Sequence, residues 1–114
     1  MVTIPGVAPH MIANNIEPYY PTHPGVVLKD EIEYRGISQK KLATAMDVPY
    51  TLLNEVLNGK RPVNTELALL IEAILDLPAE PLLKMQARYN MIITKRDGKF
   101  IEKLKKVRNV AAVF

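Results

Sequence analysis

The chain has 114 residues, 48% of them hydrophobic, enough to bury about two-thirds of its unfolded surface in one core and too few for two domains of ordinary size. It has no cysteine, no tryptophan and two histidines, His10 and His23, which excludes disulfide and thiolate chemistry and argues against a metal site. The formal charge of +3 is uneven: residues 1–94 carry eight Lys/Arg against ten Asp/Glu, and residues 95–114 carry seven against two. No apolar run approaches the roughly 20 residues of a membrane span, and the N-terminus lacks the basic and apolar regions of an export signal. A soluble, cytoplasmic protein is expected.

Residues 1–22 contain Pro5, Pro9, Pro18 and Pro21, and proline continues neither a helix nor a central strand. This stretch reads as an extended N-terminal arm, pinned by Ile4, Val7, Met11, Ile12, Tyr19 and Tyr20. The first helix is predicted from Pro24, whose φ suits a first helical position, to a left-handed stop at Gly36. Leu28 and Ile32 share its inner face, and Asp30, Glu31 and Glu33 make its outer side acidic. A second helix starts at Ser38, the only serine in the chain, with Ile37 and Leu42 at the staple positions around that cap. Leu42, Ala43 and Met46 form its buried stripe, and Asp47, which tolerates left-handed backbone, makes the turn.

The third helix is predicted from about Pro49 to Asn58. Leu53, Val56 and Leu57 face inward and leave Tyr50, Thr51, Asn54 and Glu55 outside. Asn58-Gly59 ends it. A fourth helix starts at Asn64, carries Leu67, Ala68, Leu70, Ile71, Ile74 and Leu75, and stops before Pro78; its apolar density suggests a central position. A fifth spans about Glu80 to Ile93, apolar on more than one side through Leu82, Leu83, Met85, Ala87, Tyr89 and Met91, so that a second surface must cover it. Asp97-Gly98 marks a turn, after which Phe100, Ile101, Leu104 and Val107 repeat at helical spacing and VAAVF closes the chain. No segment alternates long enough to be a strand. The expectation is an all-α, five- to six-helix domain: arm 1–22, helix-turn-helix domain 23–93 with the motif at 38–58, and a basic C-terminal helix with an apolar tail at 94–114.

The chemistry-bearing side chains do not assemble into a catalytic set. The one serine is a helix cap, His23 stands where it can cap or pack, and there is no phosphate loop, GK[ST] or HExxH. No catalytic activity, cofactor or metal is expected. Residues 36–61, GISQKKLATAMDVPYTLLNEVLNGKR, instead read as two short helices joined by a tight turn. The polar Ser38-Gln39 opening, the small Ala43, the turn and the inward Leu53 and Val56 fall at the offsets of a DNA-reading helix-turn-helix. A helical bundle with a chance tight turn is the plainer alternative.

Three separated blocks carry a family resemblance: PTHPGVVLKDEIEYRGISQKKLA, LNEVLNGKRPVNTELALLIEAIL and LLKMQARYNM. From about Pro21 to Asn90 the chain resembles the HigA-type antitoxins, a branch of the Xre/Cro repressor-like superfamily with a lambda repressor-like fold. The resemblance implies an antitoxin that neutralises a RelE-like, mRNA-cleaving toxin and represses its own operon as a dimer on a palindromic operator. Carried over by position, Tyr50, Thr51, Asn54 and Glu55 become base-reading candidates, and Ser38, Gln39, Lys40 and Lys60 become phosphate candidates. Some positions depart from the family pattern. Pro49 supplies no side-chain cap, Tyr50 and Glu55 stand where Arg or Gln is common, and Lys41 and Val26 replace glutamates.

RelE-like toxins tend to be basic, so the acidic Asp30, Glu31 and Glu33 are the expected toxin-facing patch. A homodimer is expected through the fifth helix and the C-terminal tail, because one reading helix covers a half-site and two must sit about 34 Å apart. The alternatives are a stand-alone Xre-family regulator with no toxin partner and an interaction module that has lost DNA binding.

Overall fold

The computed structural model describes residues 21–114. The expected arm contacts of Ile4, Val7, Met11, Ile12, Tyr19 and Tyr20 lie outside the described residues. Six helices follow in order: α1 (Pro24–Tyr34), α2 (Gln39–Met46), α3 (Tyr50–Leu57), α4 (Thr65–Leu75), α5 (Ala79–Arg96) and α6 (Gly98–Ala111). No strand occurs among the described residues, and the fold is the all-α, lambda repressor-like arrangement that the sequence predicts.

Each boundary has a local cause. His23, Ser38, Asn64 and Asp97 stand at N-caps, and each accepts a backbone N–H of the first turn that has no helical partner. Pro49 and Pro78 make no side-chain cap; for α5 the carboxylate of Glu72 replaces it, taking the Ala79 N–H at 2.7 Å. Left-handed residues stop the helices: Gly36 (φ 69°), Asp47 (φ 54°), Gly59 (φ 74°) and Asp76 (φ 57°). Around three of them an N–H reaches back to a carbonyl of the final turn, from Ile37 to Ile32, Val48 to Ala43 and Lys60 to Glu55. Asp97-Gly98 is tighter than a turn between helices, because Asp97 alone separates α5 from α6 and caps the latter.

The core gathers Leu28 and Ile32 from α1, Leu42, Ala43 and Met46 from α2, Leu53, Val56 and Leu57 from α3, Leu67, Ala68, Ile71 and Leu75 from α4, and Ala79 and Leu82 from α5. At about 1.5–3 kcal/mol for each large apolar side chain, this burial is what holds the small helices together. α1 packs on α3 and α5, α2 on α3 and α4, α4 on α5, and α6 on α5.

One apolar expectation needs correction. Leu70 and Ile74, read with the central stripe of α4, are exposed together with Leu69; only the face carrying Leu67, Ala68, Ile71 and Leu75 meets the core, and the other looks outward. Surplus apolar surface therefore extends beyond α5. On α5 itself Met91 is exposed, as a helix apolar on more than one side requires; Ile93 is exposed as well, and Ile92 is buried. α6 has no buried residue at all.

Candidate nucleic-acid interface

α3 is held from behind by the triplet His23-Pro24-Gly25. The His23 ring nitrogen Nδ1 accepts the Gly25 N–H at 2.9 Å, Pro24 opens α1 without wasting an amide donor, and Gly25 brings the two helices into direct backbone contact. A Cβ placed on Gly25 would stand 1.8 Å from the Val56 carbonyl oxygen and 2.7 Å from its carbon. The His23 ring is buried, stacks edge-on against Tyr89 at 4.9 Å and 77°, and lies beside Gly59. Desolvation lowers its pKa, a backbone hydrogen bond with Arg61 opposing the shift. This is the capping and packing role, with Nδ1 as the acceptor.

The buried Gln86 braces the same region from α5. Its Oε1 accepts the Val63 N–H at 2.8 Å in the α3–α4 loop, and its Nε2 donates to Asn90 Oδ1 at 2.9 Å. With both sides of its amide satisfied, it fixes the loop that follows Lys60 and Arg61.

With Leu53, Val56 and Leu57 buried, α3 turns the opposite strip outward. Tyr50 and Thr51 are exposed, and Asn54 and Glu55 are half-buried beside them. The four base-reading candidates thus share one surface. Gln39 reaches that surface from the first residue of α2: Asn54 Nδ2 donates to Gln39 Oε1 at 3.1 Å. Ser38 and Lys40 lie at the same end of α2, both exposed, with Ser38 Oγ accepting the Lys41 N–H at 3.4 Å. Lys60 follows the C-terminal end of α3.

Two further cations sit at the rim that the phosphate candidates omit. Lys29 Nζ donates to Asn58 Oδ1 at 3.1 Å, and Asn58 Nδ2 donates to the Asn54 carbonyl at 2.8 Å. Arg61 Nη2 stands 3.5 Å from Glu55 Oε1. That pair is half-exposed and energetically slight, yet it puts a positive group beside the carboxylate that phosphate would repel. No local pattern marks Lys29; only the close crossing of α1 over α3 brings it there.

The acidic trio lies on α1 away from its buried stripe, with Asp30 and Glu33 exposed. Glu31 is engaged by Arg35 at 2.8 Å, and the same guanidinium donates to the Leu75 carbonyl at 2.9 Å, closing the open end of α4.

The helix-turn-helix family profile matches residues 28–82. An addiction module antidote protein of the HigA family from Coxiella burnetii superposes with a TM-score of 0.62 and 30% identity, covering 73% of this chain and 92% of that one. The chain belongs to the HigA family of antitoxins. A second HigA structure, the Pseudomonas aeruginosa antitoxin solved with the higBA promoter, is 28% identical with a TM-score of 0.64, over 73% of this chain and 92% of that one. Virulence-associated protein A' of Dichelobacter nodosus is 35% identical across 72 residues, 62% of this chain; the match spans 63% of that relative's length. HigA membership agrees with the three sequence blocks, and in structural terms two of those blocks are the brace of α3: HPG from the first, Gln86, Tyr89 and Asn90 from the last.

Proposed function

We propose that this HigA-family chain is a non-catalytic cytoplasmic antitoxin that represses its own operon and neutralises a basic, RelE-like, RNA-cleaving toxin. The observation that carries the DNA half is the outward strip of α3, Tyr50, Thr51, Asn54 and Glu55, on a helix whose other face is locked in the core. Ser38, Gln39, Lys40 and Lys60 lie at its margins as phosphate ligands, joined by Lys29 and Arg61. That a Pseudomonas HigA was solved with its promoter supports the same use of the fold here. Phosphate neutralisation makes the affinity steeply salt-dependent.

Two copies grip a palindrome through α5 and α6. The support is unpartnered apolar surface: Met91, Ile93, Phe100, Val107, Val110, Val113 and Phe114 are exposed. Phe100, Leu104, Val107, Ala111 and Phe114 follow one another at the four-three spacing of a helix-pairing seam. The toxin faces Asp30, Glu31 and Glu33, whose charge complements a basic partner.

Titration of the purified protein against its own promoter tests the DNA half. Specific retardation that weakens with salt in proportion to several phosphate contacts is expected; equal affinity for unrelated DNA refutes it. Co-expression with the adjacent reading frame tests the other half. Relief of growth arrest and a co-purifying complex are expected, and no complex refutes toxin neutralisation, leaving a stand-alone regulator.

A further inference from the structure

The side-chain bond between Gln39 and Asn54 links the first turn of α2 to the middle of the reading strip. An asparagine amide has one acceptor and two N–H donors. At 3.1 Å, Gln39 Oε1 uses one of those donors. Asn54 is left with Oδ1 and a single N–H, one acceptor beside one donor. Adenine offers the matching pair in the major groove, N6–H to give and N7 to accept. Guanine offers two acceptors there, O6 and N7, and would set O6 against Asn54 Oδ1.

The anchoring also solves a problem of satisfaction. Once DNA covers Asn54, an N–H left without an acceptor would carry a desolvation penalty; Gln39 supplies that acceptor from within the protein. It also limits rotation about χ2, which for asparagine is broad and roughly two-fold, so the amide does not exchange its oxygen and nitrogen edges. Gln39 Nε2 keeps its own donors for a phosphate oxygen.

We propose that Gln39 is a positioning residue for base recognition: it orients Asn54 so that Asn54 selects one A·T base pair in the operator. This rests on the operator-binding reading above. The full-length protein is titrated against its own operator and against a series in which each base pair is changed singly. Asn54→Ala flattens the preference at one A·T pair, by roughly 10- to 100-fold. Gln39→Ala flattens it at the same pair, and the double variant loses nothing more there. Gln39→Glu retains an acceptor for Asn54 but has no donor for phosphate, so it keeps the adenine preference while binding every sequence more weakly. A Gln39→Ala protein that weakens all sequences equally and still prefers adenine overturns the proposal, as does loss of preference at a different pair. A wild-type protein with no preference for its own operator refutes the operator-binding reading itself, and this proposal with it.

Discussion

Replacing Gly25 with alanine puts a methyl group where the backbone of α3 already stands. The new carbon would lie 1.8 Å from the Val56 oxygen and 2.7 Å from the Val56 carbon, and neither is a side chain that can rotate away. Restoring ordinary contact requires α1 to retreat by about an ångström or more, which loosens Leu28 and Ile32 in the shared core. Overpacking of this kind costs about 1–3 kcal/mol, and the better helix propensity of alanine returns less than about 1 kcal/mol. The expected loss is therefore about 2 kcal/mol, or a fall in Tm of about 10 °C for a domain this size. Thermal unfolding followed by far-ultraviolet circular dichroism measures it. Operator affinity should fall as well at a temperature where the variant is fully folded, because the displaced backbone belongs to the reading helix. A Gly25→Ala protein as stable as the wild type would show that α1 and α3 do not meet as described.

Burial lowers the pKa of His23, and its neutral Nδ1 is the cap acceptor. The unfolded chain therefore takes up the proton first: this site's stability is complete above about pH 6.5 and declines as pH falls below it toward the folded pKa. His23→Ala should cost about 1–2 kcal/mol near neutrality and remove that acid-side slope from urea midpoints; identical slopes in the two proteins would contradict it. Gln86→Leu strips the acceptor from the buried Val63 N–H and should cost about 1–3 kcal/mol in urea unfolding, whereas a variant of unchanged stability would deny the brace. Val107→Asp on the exposed seam of α6 should shift sedimentation from dimer to monomer without lowering the domain's melting temperature, and a persisting dimer would remove α6 from the interface.

What could be read from sequence was whatever depends on neighbours in the chain. Ser38, Asn64, Asp47 and Asn58-Gly59 announce caps and stops through their own backbone preferences, and the inner stripes of α1, α2 and α3 follow from helical spacing. Contacts between distant residues have no such signature. Gln86 sits among apolar residues, and its partner is the amide of Val63, 23 positions away; Lys29 meets Asn58 across 29. Spacing likewise shows that Leu70 and Ile74 are apolar without showing which face of α4 another element covers. Asp76 adopts the same left-handed stop as Asp47, but Pro78 two residues on is by itself enough to end α4 and hides that role in the sequence. Periodicity places the four base-reading candidates on one strip, but only the crossing of α2 and α3 ties one of them, Asn54, to Gln39.

The joint between α5 and α6 is one residue long. A joint that short has no slack, so whatever grips α6 grips α5 directly. Along the same 18-residue rod, Tyr89 touches the ring that caps α1, and Gln86 holds the loop leaving the reading helix. Pairing of two chains through α6 would thus set the angle between their two α3 helices through stiff members alone. In such a dimer, half-site spacing in the operator would be a dimension machined into α5 rather than one left to a flexible tether.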